Sequence, residues 1–201
     1  MSDIRYPELA PQGAKKIEWV RDYMPVLRTL EETYRETKPF AGMRVAVCVH
    51  LEAKTAYLCK VLRAAGAEVS VTGCNPLSTK DEIAAALYAE GFQVCGWFDA
   101  TMDEYYEHVR QTLSCRPHII VDDGGDFVAM LHGDYPEYGE NLIGGCEETT
   151  TGIHRLKARA AAGTLKFPMM AVNDADCKHL FDNHHGTGQS TWDAIMFTTN
   201  V

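Results

Sequence analysis

The 201 residues carry 46% hydrophobic and 23% charged side chains, with a net charge of −9. That balance suits one soluble globular domain and excludes nucleic acid as a partner, because phosphate binding needs clustered Lys and Arg. No apolar run is long enough to span a bilayer, and the opening MSDIRYPELAPQG lacks the apolar core of a signal peptide.

Along the chain, Ile17, Val20, Tyr23, Met24, Leu27 and Leu30 recur at three and four residues, which predicts one amphipathic helix over about 14–37. Apolar, β-rich runs follow: RVAVCVH (44–50), AEVSVTG (67–73), FQVCGWF (92–98), HIIVDD (118–123), LIGGC (142–146) and LKFPMMAVN (165–173). Helical stretches are predicted between them at about 52–65, 79–90, 101–114, 126–132 and 149–162. Near-continuous Val/Ile runs alternating with helices predict an α/β fold, a three-layer α/β/α arrangement around a mostly parallel, doubly wound, Rossmann-like sheet. The tail GQSTWDAIMFTTNV reads as a further helix, capped by Ser190 or Thr191.

Seven cysteines lie scattered without a C-x-x-C pair. An odd, unpatterned set fits reduced thiols and a cytoplasmic location, and its spacing supplies no four-ligand zinc set. The histidines share no metal-ligand spacing either, so no metal ligands are named.

In open parallel sheets, ligands bind beyond the carboxyl ends of the strands. The predicted runs end there in polar residues: His50, Glu52 and Lys54; Asn75 and Ser78; Asp122, Asp123 and Asp126; Glu147, Glu148 and three threonines; then Asn173, Asp174, Lys178, Asp182 and Asn183. Each group alone has an ordinary reading. EETTTG makes a good helix N-terminus, and DDGGD is either a glycine turn or a Mg²⁺ site. Lys178 and Asp182 have the spacing of a surface ion pair. Recurrence on one sheet edge is what points to a site.

VDDGGD, EETTTGIHRL and AVND…K…FDN, together with SDIRYPELAPQGAKKIEW, resemble S-adenosylhomocysteine hydrolase (adenosylhomocysteinase) over essentially the whole chain. The resemblance implies an NAD-dependent thioether hydrolase. The ribose 3′-hydroxyl is oxidised, homocysteine is eliminated from the 5′ carbon, water adds, and the ketone is reduced back. It implies catalytic roles for His50, Asp123, Lys178 and Asp182. Glu148, Lys178 and Asp182 would hold the ribose, with Asn75 and Ser78 also in the substrate site, and Thr149, Thr150, Thr151 and Asn183 would contact the cofactor. It further implies a homo-oligomer, tetramer or dimer, acting on a small nucleoside thioether.

On this resemblance residues 1–183 form a substrate-binding domain. Residues 184–201 form a hinge and the first helix leading to an NAD-binding domain absent from the chain, so the 201 residues alone are expected to be inactive. HHGTGQS (184–190) has G-x-G spacing but follows no strand and lacks the third glycine, which rules it out as a dinucleotide site. Thr187 stands where many members have cysteine.

The family's H-x-T motif, followed two residues later by Glu or Gln, here reads His50, Glu52, Lys54. Lysine only donates and a carboxylate only accepts, which suits the 6-oxo group and ring N–H of hypoxanthine better than the 6-amino group of adenine. The pair therefore points to S-inosylhomocysteine, although exchanged partners or a simple ion pair would also account for it. Two other classes remain: a stand-alone nucleoside- or thioether-binding module, and a Mg²⁺-dependent hydrolase built on Asp122, Asp123 and Asp126.

Overall fold

A computed structural model describes residues 2–200. Among them six strands form one sheet: β1 (Arg44–Cys48), β2 (Glu68–Thr72), β3 (Gln93–Cys95), β4 (Ile119–Asp122), β5 (Gly144–Glu147) and β6 (Met169–Ala171). The order is β3-β2-β1-β4-β5-β6 and every pairing is parallel. The sheet is thus wholly parallel rather than mostly so. β1 and β4 are hydrogen-bonded neighbours, with Cys48 opposite Asp122.

Period-two alternation sorts the strand side chains into two cores. Val45, Val47, Val69, Val71 and Val94 pack with Ile17, Tyr57, Ile83 and Leu87. These come from helices α1 (Ala10–Asp22), α3 (Ala53–Ala64) and α4 (Asp81–Ala89). Ala46, Cys48 and Ile120 pack on the other face with Tyr105, Val109, Phe127, Ile153 and Leu156. Those belong to α5 (Met102–Leu113), α6 (Asp126–His132) and α7 (Thr150–Ala161). Both faces are covered, which is why the strands read as unbroken apolar runs. Where α1 crosses α4, a Cβ on Gly13 would fall on the main-chain carbonyl of Glu82, so only glycine permits that approach.

The helix predicted over 14–37 is two helices, α1 and α2 (Pro25–Thr37). Met24 precedes a proline and takes φ −121°, ψ 66°. The ring of Pro25 disfavours helical geometry in the residue before it while suiting the first turn of a new helix. The hydrophobic period continues across the break because both helices face the same core.

Their junction is held by Glu31, buried at 5% exposure. Its carboxylate accepts from the Tyr57 hydroxyl at 2.8 Å, pairs with Arg35, and lies 3.4 Å from Arg21 Nε. Glu31→Gln should therefore cost about 2 kcal/mol, the range of buried charge-assisted hydrogen bonds. Urea unfolding measures this, and an unchanged midpoint would show the network to be idle.

The tail also differs from expectation. The backbone is helical from Asp176 to Thr199, beginning as a π-helical stretch (Lys178–Gly186) that passes without a break into α8 (Thr187–Thr199). Ser190 and Thr191 lie inside this helix and cap nothing; the Thr191 hydroxyl donates to the Thr187 carbonyl. HHGTGQS is helical throughout, not a strand-to-helix turn. Among the described residues no helix is long and apolar enough to cross a membrane.

Candidate functional site

The strand order reverses direction between β1 and β4, so the connections leaving their carboxyl ends diverge and open a crevice. His50 leaves β1 and Asp123 leaves β4, and the two meet in that crevice with His50 Nε2 3.6 Å from Asp123 Oδ2. Cys74, at the end of β2, closes the group: its thiol donates to the same Asp123 oxygen at 3.2 Å. Asp123 is buried, whereas the His50 side chain is 49% exposed. Burial first, and then the Asp123 carboxylate, push the Cys74 thiol well above the usual thiol range.

The turn after β2 orients the imidazole. Asn75 folds it by accepting the Leu77 N–H on its side chain at 2.9 Å, a local Asx-type contact. The Asn75 carbonyl accepts the Ser78 hydroxyl at 3.1 Å. That hydroxyl has a single proton, so towards His50 Nδ1, 2.5 Å away, it acts as acceptor. Nδ1 therefore carries hydrogen, and Nε2 is the nitrogen turned towards Asp123.

Three carboxylates of the DDGGD–CEE region turn inward, away from any shared ligand position. Asp122 accepts the N–H groups of Asp123 and Val128, both at 3.1 Å. Burial, then the neighbouring Glu147, push Asp122 up to about 8. Asp126 accepts the Tyr105 hydroxyl at 2.6 Å and lies 3.7 Å from Arg155. Asp122, Asp123 and Asp126 thus face three different partners, which removes the geometric basis for a Mg²⁺ site on DDGGD. Glu147 Oε1 accepts from the Gly124 N–H, the Thr149 N–H and the Thr149 hydroxyl, each at 2.9 Å. Oε2 of Glu147 is buried without a hydrogen-bond partner. The glutamate thus braces the loop carrying Asp123 against the start of α7.

The helix-start reading of EETTTG is correct for Thr149, whose hydroxyl caps α7 by accepting the Gly152 N–H at 3.1 Å. Glu148 points elsewhere, with Oε1 3.3 Å from Lys178 Nζ. Lys178 also donates to Asn173 Oδ1 at 3.3 Å, and Asn173 accepts the Thr150 hydroxyl at 3.2 Å. Lys178 is therefore engaged with Glu148 and Asn173, not with Asp182 as a surface ion pair would require.

Asp182 lines a cleft of about 740 Å³ with Lys54, Thr187, Ser190 and Thr191. A second hollow of about 430 Å³ is lined by Thr150, Asn173, His179 and Asn183. Thr151 is exposed and does not line either hollow. Glu52 caps α3, its Oε1 accepting the Lys54 N–H at 3.0 Å. The helix-start reading of HLEAKT is correct for Glu52. One oxygen of Glu52 caps the helix, and Lys54 lines the cleft.

Cys74 is the contributor that the sequence alone did not single out, and its only signal there is its position just beyond the carboxyl end of β2. Glu147 and Asn173 stand in EETTTGIHRL and AVND at strand ends, with no role assigned to them from the motifs.

The fold is thus a doubly wound parallel α/β sheet with His50, Cys74 and Asp123 gathered beside its switch point and Glu148 and Lys178 paired further along the same edge. The sequence model of the S-adenosyl-L-homocysteine hydrolase family matches residues 2–136 and 131–192, and the chain belongs to that family. An S-inosyl-L-homocysteine hydrolase of Methanopyrus kandleri is 54% identical over 198 residues, 98% of this chain and 47% of its own length. Its counterpart in Methanocaldococcus jannaschii is 49% identical over 201 residues, all of this chain and 48% of its own. The adenosylhomocysteinase of Pyrococcus abyssi is 49% identical over 193 residues, 96% of this chain and 46% of its own. The chain spans about half the length of these curated relatives.

Proposed function

We propose that the chain is the substrate-binding part of a hydrolase that splits S-inosyl-L-homocysteine into homocysteine and inosine. The observation that carries this reading is Lys54 on the wall of the cleft that Asp182 also lines. A donor-only ammonium there matches a 6-oxo group and meets a 6-amino group with like polarity. Glu52 keeps one carboxylate oxygen beyond its cap, able to accept from the ring N–H of hypoxanthine. The names of the Methanopyrus and Methanocaldococcus relatives support the inosyl substrate.

Residues 1–183 are assigned to substrate binding, and 184–201 to a hinge leading towards an NAD-binding domain. Glu148, Lys178 and Asp182 would hold the ribose hydroxyls, with Lys178 taking the 3′-hydroxyl proton. Asp123 would move the proton at C4′, and His50 would deliver one to the departing sulfur. Asn75 and Ser78 support this through the turn that fixes the His50 tautomer. NAD, when bound, supplies the reversible oxidation at the ribose 3′ carbon. The hollow of Thr150, Asn173 and Asn183 offers hydroxyl and amide groups that fit its ribose and carboxamide. Thr151, next along α7, is assigned to the cofactor as well. Thr149 is committed to its cap and retains one free lone pair for such a contact. Exposed Leu180, Phe181, Trp192 and Phe197 leave apolar side chains along the terminal helix for a homo-oligomeric neighbour to cover.

Calorimetric titration of the chain with inosine and adenosine tests the reading. Inosine should bind about tenfold tighter or better, and Lys54→Gln should remove the preference. Equal affinities in the unsubstituted protein would overturn it.

A further inference from the structure

We infer that His50, Cys74 and Asp123 form a binding site for a thiophilic divalent metal ion of the Zn²⁺ type, placed over the groups proposed to move protons. The inference rests on the proposed function only for its regulatory consequence; the site itself is argued from ligand geometry.

Among the described residues this is the one group of three or more His, Cys, Asp or Glu side chains whose ligand atoms come close enough to share an ion, all within 4.8 Å of one another. Tetrahedral zinc with bonds of about 2.0–2.3 Å to N, O and S places neighbouring ligand atoms about 3.3–3.7 Å apart. Here His50 Nε2 lies 3.6 Å and Cys74 Sγ 3.2 Å from the same Asp123 oxygen. Two edges of the tetrahedron are thus already present to within a few tenths of an ångström, without any movement of the backbone.

The surrounding contacts favour an ion over an accidental cluster. Ser78 accepts from His50 Nδ1 and donates a hydrogen bond to the Asn75 carbonyl. This fixes the imidazole with Nε2 facing the other two ligands, the arrangement by which outer partners orient a metal-binding histidine. Asp123 is buried and already hydrogen-bonded to Cys74. A cation would take the position of that shared proton: the Cys74 S–H bond breaks, an S–metal bond forms, and one proton leaves to solvent. Three protein ligands leave a fourth position, on the exposed side of His50, for water or a substrate atom. A thiolate with an imidazole selects Zn²⁺ or Co²⁺ over Mg²⁺ or Ca²⁺.

In the proposed reaction Asp123 and His50 must exchange protons, which a coordinated side chain cannot do. Metal occupancy and turnover are therefore mutually exclusive, and the ion acts as an inhibitor.

Titrating the metal-free 201-residue chain with Co²⁺ tests the site. One equivalent should produce a thiolate-to-cobalt charge-transfer band with the strong visible absorption of a four-coordinate ion, and Zn²⁺ should erase both. Cys74→Ser should abolish the charge-transfer band. His50→Gln and Asp123→Asn should each weaken binding on the order of 100-fold. The double variant Cys177→Ser/His185→Gln should leave the spectrum intact.

Alkylation of the unsubstituted chain mapped by mass spectrometry gives a readout that needs no variant: Zn²⁺ should protect Cys74 and leave Cys177 reactive. Absence of the thiolate band, its survival in Cys74→Ser, or equal alkylation of Cys74 with and without Zn²⁺ would overturn the inference. Inosine binding measured in the presence of chelator reports on the proposed function separately, so either reading can fail alone.

Discussion

Gly152→Ala is expected to cost about 3 kcal/mol of folding stability, the upper range for overpacking a filled interior. Gly152 sits in the first turn of α7, buried against the carboxyl group of Glu147. A Cβ there would occupy the space of that carboxyl group. Glu147 is fully buried and cannot swing into solvent. Moving it would break three hydrogen bonds from Gly124 and Thr149. The effect reaches the site because Gly124 follows Asp123 directly. The substitution should lower the urea midpoint and also speed amide exchange at Gly124. Gly188→Ala is the control: in α8 a Cβ meets nothing within 4 Å, so alanine should be neutral or slightly stabilising. Equal midpoints for the two variants would mean that Glu147 relocates freely.

The second large effect is a loss of stability as pH rises. Asp122 is pushed up to about 8 by burial and by Glu147 beside it on β5, against about 3.9 in an unfolded chain. A group whose folded value is raised favours folding fully below its unfolded value and loses that favour as pH climbs to the folded one. The window is therefore about pH 4 to pH 8, with an upper bound of roughly 6 kcal/mol from the size of the shift. Groups held low act on the acid side. Glu107, brought to about 2 by Arg110 and Gln111, and Glu31, held down by Tyr57 and Arg35 against the opposing effect of burial, lose their contributions only as pH falls below the usual carboxylate range. Between pH 6 and pH 9 the Asp122 effect should thus stand out among the carboxylates. Urea unfolding at those two pH values should show falling stability in the unsubstituted chain and a flatter profile in Asp122→Asn. The slope is the readout, since the asparagine also changes a main-chain hydrogen bond. Parallel profiles would remove Asp122 from the account.

The strands were legible because both faces of a parallel sheet are covered, leaving Val/Ile runs such as RVAVC with no polar alternation to confuse them. The break at Met24–Pro25 was hidden because hydrophobic period reports which face is buried, not whether the axis continues. The helix predicted from Gly188 is present as α8, but its continuation back to Asp176 was missed for the opposite reason. Glycines 186 and 188 and the paired histidines resemble loop chemistry, yet the backbone stays helical through them. Of the side chains that meet at the strand ends, His50, Asp123, Glu148 and Lys178 were named from motif and strand-end position together. Cys74 was not, because metal-ligand spacing along the chain cannot register three residues that only the ends of β1, β2 and β4 bring together. Glu52 is a helix cap whose second carboxylate oxygen the proposed function leaves to the base.

The π-helical stretch Lys178–Gly186 has one further consequence. Its i→i+5 bonding, visible in the Thr187 N–H donated to the Asp182 carbonyl, widens each turn to about four and a half residues. At that pitch Asp182 and Asn183 fall on either side of the line through Lys178. The segment therefore works as a partition, giving Asp182 to the hollow with Lys54 and Asn183 to the hollow with Thr150. Tightening to ordinary α winding would swing Asn183 through roughly a quarter turn, away from the hollow with Thr150. The loose pitch is what lets neighbouring residues of one short segment line two separate hollows.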